Sequence, residues 1–303
     1  MKPMLAVALE DVNLKILRFP LFGSIKMDGI RCLITPEGAM TRSLKPIRNQ
    51  YIQDKLKGCP VGLDGELLLL DGKCPMEPGM HPFNKVSSAV MNGKGCPDFQ
   101  YWVFDHYNLT KAGYIDRLNW LVNFYGTGSA GRTESRVMLT EQVELNSLNA
   151  VLEYEKNVLD DGYEGIILRG FDSPYKNGRS TLKEQFLLKR KPFDDDEAIV
   201  IGFVEQLENT NEAFEDELGH SKRSTAKEGL IGKNTLGRFL VRSDRWGEFA
   251  IGCGRMTHAE AQHIWDNKHK FMGELVTFKY QKIGTKDKPR TPIFKGFRSR
   301  EDI

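Results

Sequence analysis

Apolar runs of strand length recur along this chain in two sets. Leu21–Ile25, Ile30–Ile34, Leu63–Leu70, Tyr101–Asp105 and Gly165–Leu168 form the first. Ala198–Val204, Leu236–Val241, Glu248–Ile251, Gly273–Lys282 and Pro292–Arg298 form the second. Helical periodicity is sparser. Leu118, Leu121, Val122 and Tyr125 follow i, i+3, i+4, i+7, and Leu145, Leu148, Leu152 and Leu159 line one face of a second helix. Strands dominate and do not alternate strictly with helices, so the first set predicts a mainly antiparallel α+β domain rather than a doubly wound one. Five short strands with one helix suit an OB-fold barrel for the second set, and a sandwich also fits. That helix opens on a capping box, Thr257 with Glu260, before "AQHIWDNKHKF".

Between the two sets, Pro192 and the acidic run Asp194–Glu197 read as a linker, which divides the chain into domains 1–192 and 193–303. The polar stretch Glu205–Asn234 is long for a barrel connection, and loops of that length are usually functional or disordered. At 303 residues both domains can bury a core. No stretch approaches the roughly 20 apolar residues of a membrane span. The start, "MKPMLAVALEDV", turns acidic too soon for a secretory signal. Cys32, Cys59, Cys74, Cys96 and Cys253 are scattered, odd in number and nowhere spaced as CxxC. That argues against a disulfide framework or a structural zinc and for a reducing, cytoplasmic setting. A net charge of +2 says little about partners, so local clusters must carry the argument.

The densest cluster is "SIKMDGIRC", which sets Lys26, Asp28, Gly29 and Arg31 in an apolar frame of Phe22, Ile25, Met27 and Ile30 beside a tight turn expected at Asp28–Gly29. Two readings stay open from this segment alone. It is a hairpin whose cations face water, or it holds a lysine activated as a nucleophile by desolvation or by nearby positive charge. "LDGELLLL" places Asp64 and Glu66 on one face of a strand, and "DGYEGIILRG" puts Glu164 just before another. Carboxylates at strand mouths suit Mg²⁺ and sugar hydroxyls, or serve as solubilising edge charges. "FLLKRKPF" sets Lys189 and Lys191 on one strand face, with Arg190 pointing the other way as a solvated basic edge. Two cations fixed side by side suit a phosphate that gains charge in a transition state. Together, a nucleophilic lysine, metal-binding carboxylates and a lysine pair point to nucleotidyl transfer.

The order of these elements resembles the covalent nucleotidyltransferases: ATP-dependent DNA ligases, RNA ligases and mRNA capping enzymes. "KMDGIR", "TRSLKPIRN", "LDGEL", "SSAVM", "YIDR", "YKNGRSTLKE", "LLKRK", "SKRST", "GTKDKPR" and "FKGFR" resemble the motif run of the minimal chlorella-virus type of ATP-dependent DNA ligase over nearly the whole chain. The resemblance implies a nucleotidyltransferase (adenylation) domain followed by an OB-fold domain with a latch-like insertion near 205–234. It implies sealing of 5′-phosphate/3′-hydroxyl nicks in duplex DNA through a lysyl-AMP intermediate and a DNA-adenylate, with ATP and Mg²⁺ (or Mn²⁺) as cofactors.

Residue by residue, the resemblance makes Lys26 the adenylated lysine and Asp28 a carboxylate near the nick terminus and metal. Arg31 and Arg42 would hold the 5′-phosphate, as guanidinium forks do well, and Arg179 would belong to the same pocket. Glu66 would engage the ribose, and Glu66 and Glu164 would be the metal-linked carboxylates. Phe104 would stack on adenine, and Lys189 and Lys191 would meet the α-phosphate. Arg290 and Arg298 fall in the stretch resembling the last motif, where cations orient pyrophosphate. That stretch departs from the RxDK pattern of larger ligases, which leaves open which arginine acts. Lys222, Arg223 and Lys227 match the latch, poorly ordered without DNA, and Lys279, Lys282, Lys286 and Lys288 form a basic strip, so DNA affinity should depend on salt.

A monomer in the cytoplasm is expected, or in the host interior or nucleus for a viral protein. Alternative readings are a capping guanylyltransferase, an RNA ligase and a non-catalytic nick-binding protein. "GLIGKNT" is not a P-loop, because Asn234 follows its Gly-Lys. His258 and His263 read as surface residues, and Trp120, Trp246 and Trp265 as core.

Overall fold

In the computed structural model, residues 2–70, 83–126, 136–215, 221–281 and 287–298 are described. The chain forms two compact units, with the change between Lys191 and Pro192.

The first unit carries strands β1 (Met4–Leu5), β2 (Val7–Ala8), β3 (Leu21–Ile25), β4 (Ile30–Thr35), β5 (Gly38–Thr41), β6 (Leu63–Leu69), β7 (Phe99–His106), β8 (Val137–Leu139), β9 (Val143–Leu145), β10 (Ile166–Gly170), β11 (Gly178–Arg179) and β12 (Leu188–Arg190). Its helices are α1 (Gln50–Leu56), α2 (Phe83–Met91), α3 (Tyr114–Tyr125) and α4 (Leu148–Asp160). Two five-stranded sheets result, in the orders β2-β12-β10-β3-β9 and β5-β4-β6-β7-β8, and β1 pairs with β11 separately. Their central pairings are antiparallel, and parallel pairs occur at β2–β12 and β7–β8. The α+β reading therefore holds.

Each sheet is covered on one face. Ile30, Cys32, Leu63, Leu67, Phe99, Tyr101 and Val103 pack with Ile52, Leu56, Val86, Val90 and Leu121 of the helices. Leu21, Leu145, Ile166, Leu168 and Leu188 pack on Val151 and Val158 of α4. Met4, Leu33, Tyr107, Tyr175 and Leu187 make a third cluster drawing on both sheets.

Several expectations are corrected. The hairpin across Asp28–Gly29 does not exist: β3 and β4 lie in different sheets, and residues 26–29 cross from one to the other. Helices α1 and α2 are additional. Asn49 caps α1 through its side chain, which accepts from Ile52 N, a local signal in so short a segment that apolar periodicity passes over it. Leu145 is a strand residue, and Ser147 caps α4. The buried residues of α4 are Val151, Glu155 and Val158, while Leu152 is exposed. A buried glutamate hides this face from any apolar count.

The second unit holds β13 (Asp194–Asn209), β14 (Ala213–Glu215), β15 (Ser221–Arg223), β16 (Leu230–Ser243), β17 (Gly247–Gly252), α5 (His258–Asp266), α6 (Lys268–Phe271), β18 (Leu275–Gln281) and β19 (Arg290–Phe297). Strands β13-β16-β17-β19-β18 close a barrel around Val200, Phe239, Val241, Ile251, Val276 and Phe278. The OB reading holds, and Thr257 caps α5 with the full capping box. Trp246 and Trp265 pack against the barrel core and Trp120 against the core of the first unit.

The acidic run 194–197 is the start of strand β13 in the barrel wall rather than a linker: Asp194–Ile199 pair with Leu275–Tyr280. Among the described residues of 205–234, paired strands stand as a ribbon where a loop was expected. Glu205 sits opposite Leu236 and Asn209 opposite Leu230, with the antiparallel pair β14–β15 beyond. Its polar side chains satisfy the ribbon's surface while the backbone makes the ladder, so a composition read as loop folds as strand.

Candidate active site

Three neighbouring strands set the site by register. Ile25 of β3 pairs with Ile166 of β10, and Ile166 pairs with Arg190 of β12. One step further along, Lys26, Gly165 and Lys191 therefore stand in a row, and Lys26 N donates to Gly165 O at 2.8 Å. Gly165 has φ +148°, and a Cβ there would collide with the Arg190 carbonyl. Only glycine lets these strands approach this closely. The adjacent Glu164 accepts from Lys26 Nζ and from Lys191 Nζ, one carboxylate oxygen each. Burial alone would raise the Glu164 pKa, but Lys26 and Lys191 outweigh it and hold it below the usual value.

On the second sheet, Gly29 makes the crossover possible, because a Cβ would strike the Leu67 carbonyl and the side chains of Leu68 and Glu66. Arg31 then pairs in a fork with the fully buried Asp64, Nε to Oδ1 at 2.6 Å and Nη2 to Oδ2 at 2.5 Å, and also donates to Met4 O at 3.1 Å. Tyr175 donates to the same Asp64 at 2.6 Å. Burial would lower the Arg31 pKa, yet Asp64 keeps it raised.

A cavity of about 350 Å³ lies in this unit, lined by Lys26, Arg31, Arg42, Glu66, Phe104, Arg179, Lys189 and Lys191 among others. Arg31 Cζ lies 5.0 Å and Arg169 Cζ 5.9 Å from the Phe104 ring centroid. Tyr114 donates to Phe104 O at 2.9 Å, which steadies the backbone behind the ring. Lys189 and Lys191 both have lowered pKa values, through desolvation first and then neighbouring cations, Lys191 acting on Lys189 and Lys26 on both. The cavity thus offers an aromatic wall, a row of amines and several guanidiniums, an arrangement that can hold a base and a chain of phosphates.

Arg190 is not a solvated edge. It pairs with Glu155 on α4, Nε to Oε2 at 2.7 Å, and with Asp11 at 2.7 Å. The sequence reading also missed Arg169, which lines the cavity from inside the "EGIILRG" strand and shares the buried Asp105 with Arg117. An arginine within an apolar strand, as in "IILRG", was the available signal, because such a residue is buried only with a partner.

Glu66 is half-buried, and burial, opposed by Lys26 and Arg31 and aided by Asp64 and Asp28, lifts its pKa to about 7. In unfolded chain the value is 4.5, so the folded state prefers the protonated acid. The stability this contributes is complete below 4.5 and is lost as pH rises through about 7. In buffer with chelator, Glu66→Gln is therefore expected to gain on the wild type as pH rises from 5 to 8, reaching on the order of 1–3 kcal/mol. Denaturant unfolding at several pH values checks this, and a difference independent of pH would contradict it.

The second unit places the other candidates. Arg298 pairs with Glu197, and Lys295 with Asp195. Arg290 opens β19, and Lys288 donates to Glu248 O at 2.8 Å. Lys222, Arg223 and Lys227 are exposed on the ribbon, where Arg223 bonds Asn211 O. Lys282 and Lys286 lie outside the described residues. His258 and His263 are exposed. Among the described residues, no three His, Cys, Asp or Glu side chains gather as a metal cluster.

A two-sheet nucleotidyltransferase domain with an OB-fold domain is the architecture of DNA ligases, and sequence comparison agrees. The chain belongs to the ATP-dependent DNA ligases: the family model for the ATP dependent DNA ligase domain matches residues 3–191, and that for the DNA ligase OB-like domain matches residues 232–298. The crystal structure of Chlorella virus DNA ligase-adenylate is 32% identical, with a TM-score of 0.56 and 99% of each chain covered. A Lig E DNA ligase at 23% identity shares the fold with a TM-score of 0.67, over 98% of this chain and 100% of that one. The DNA ligase of Enterobacteria phage T6 is 27% identical over 90% of this chain, which spans 62% of that relative's length.

Proposed function

We propose that this chain is an ATP-dependent DNA ligase that seals 5′-phosphate/3′-hydroxyl nicks in duplex DNA. The observation that carries the reading is the row Lys26–Glu164–Lys191 on the edge of a cavity walled by Phe104. In this reading residues 1–192 are the adenylation domain and 193–303 the OB-fold domain with its latch ribbon at 205–234. The chain acts as a monomer in the cytoplasm, or in the host interior for a virus. No helix among the described residues is long and apolar enough to cross a membrane.

Adenine stacks on Phe104, and Glu66 reaches the ribose. Lys26 Nζ attacks the α-phosphorus of ATP. The N–P bond forms, the bridging P–O bond to the β-phosphate breaks, and pyrophosphate leaves. The hydrogen bond to Glu164 gives the departing ammonium proton an acceptor. Lys189 and Lys191 stabilise the charge that builds on the α-phosphate. Arg290 and Arg298 orient the leaving pyrophosphate. The 5′-phosphate of the nick, held by Arg31, Arg42 and Arg179, then attacks the lysyl-AMP and releases the amine. With Asp28 beside the nick terminus, the 3′-hydroxyl finally displaces AMP. Lys222, Arg223, Lys227, Lys286 and Lys288 hold DNA phosphates, so binding weakens with salt.

Glu66 suits a hard divalent cation, since it is a half-buried carboxylate lining the cavity that the amines and guanidiniums share. Mg²⁺ typically uses one or two carboxylates with substrate phosphates, and Glu66 and Glu164 would hold Mg²⁺ or Mn²⁺ in that way. The ion would neutralise triphosphate charge.

Incubation with α-labelled ATP is expected to attach AMP to the protein, reversibly with pyrophosphate, with ATP preferred to GTP. The labelled protein should seal nicked DNA in preference to nicked RNA. Labelling by GTP alone would favour a capping enzyme, and nick binding without any label would remove the catalytic reading.

A further inference from the structure

Phe104 offers a stacking face that any base can use, so the orientation of a base on it must come from polar groups at the rim. Among the described residues lining the cavity, Thr140 is such a group, with a side-chain oxygen that no protein group satisfies. Thr140 follows β8, and the parallel register pairing Val103 with Leu139 sets Thr140 beside Phe104. The Thr140 N–H donates to Val103 O at 2.8 Å, which completes that ladder. Thr140 is 2% exposed, lines the same cavity as Phe104, and its Oγ1 has no hydrogen-bond partner among the described residues. Gln142, also lining the cavity, donates from Nε2 to Thr140 O at 3.3 Å, a side-chain bond onto the backbone of the residue that carries the hydroxyl.

A buried hydroxyl left unpaired costs folding free energy, and a cavity-lining one recovers it when a ligand supplies the partner. The polar edge of adenine offers both kinds of partner, ring nitrogens that accept and a 6-amino group that donates. A threonine hydroxyl both donates and accepts. Valine in its place keeps the shape but leaves the base edge unpaired, and sites of this type discriminate strongly against unpaired groups.

We infer that Thr140 is a specificity-determining residue whose hydroxyl hydrogen-bonds the polar edge of the purine base and fixes its rotation on Phe104. The inference rests on the proposed ATP reading of this cavity.

Equilibrium binding of ATP in metal-free buffer, by calorimetry, reads it directly. Thr140→Val is expected to weaken ATP binding roughly 5- to 30-fold, with inorganic tripolyphosphate, which lacks a base, bound equally by variant and wild type. In self-adenylation the KM for ATP should rise by a similar factor while the rate at saturating ATP stays within about twofold. Thr140→Ser, which keeps the hydroxyl, should restore most of the affinity. Because the hydroxyl is unpaired in the free protein, Thr140→Val should unfold at the same denaturant concentration as the wild type or a higher one. Unchanged ATP affinity in Thr140→Val would overturn the inference. So would an equal loss for ATP and tripolyphosphate, which would mean a deformed cavity. Failure of the wild type to take up AMP would instead strike the ligase reading, while the binding ratio would still judge Thr140.

Discussion

Lys26→Ala is expected to abolish AMP labelling and to cut nick sealing from ATP by about 10⁴-fold or more, because a covalent route without its nucleophile has no substitute. The geometry makes the effect specific. Lys26 Nζ bonds one oxygen of Glu164 and Lys191 bonds the other, so the alanine variant keeps Glu164 paired and the local fold intact. Lys26→Arg should fail as completely, since a guanidinium stays protonated at working pH and does not form the phosphoramidate. Sealing of DNA that already carries the adenylate should survive in Lys26→Ala, because the last step uses the 3′-hydroxyl rather than the amine. Radioactive labelling on a gel and sealing of both substrates measure the two activities separately. Wild-type labelling of the alanine variant would remove Lys26 from the mechanism.

Asp105→Asn is expected to destabilise the fold by about 3–5 kcal/mol. Asp105 is fully buried and is shared by two buried guanidiniums. Arg117 meets it at 2.7 Å through Nε and at 3.3 Å through Nη2, and Arg169 bonds Oδ2. The backbone N–H of His106 adds a donor at 2.7 Å. Burial pushes both guanidinium pKa values down to about 10, which still leaves them charged near neutrality. Asparagine preserves the shape but turns a donor toward a cation and removes the shared negative charge. Arg169 stacks 4.3 Å from the Tyr114 ring centroid, and Tyr114 holds the backbone of Phe104. ATP affinity should therefore fall along with stability. The exposed pair Arg242–Glu248 is the control, because Arg242→Gln should change stability by less than about 1 kcal/mol. Urea unfolding of the three proteins compares them, and an Asp105→Asn loss no larger than the control's would sink the argument.

Much of the architecture was legible from residue pattern. The apolar runs at Leu21–Ile25, Ile30–Ile34, Leu236–Val241 and Glu248–Ile251 are strands because β-branched and leucine residues at strand spacing bury well on a sheet. The capping box of Thr257 and Glu260 opens α5 because both of its hydrogen bonds are local. Failures came where a polar residue did the work of an apolar one. Glu155 faces inward on α4 only because Arg190 arrives from β12, and Asp194–Glu197 form strand only because β18 lies alongside.

The candidate site divides in the same way. Lys26, Glu66, Glu164, Lys189 and Lys191 stood out in short motifs as candidates with a bland reading beside each, and Phe104 came from the family resemblance. What the sequence by itself determined is therefore which side chains are available, and that strands carry them. Tertiary pairing alone decided that Lys26 lies on a crossover between two sheets rather than on a hairpin, that Glu164 stands between two lysines, and that Thr140 lines the same cavity as Phe104. The physical reason is that register and sheet order are set by contacts between residues far apart in the chain, and no local propensity encodes which distant strand supplies the partner.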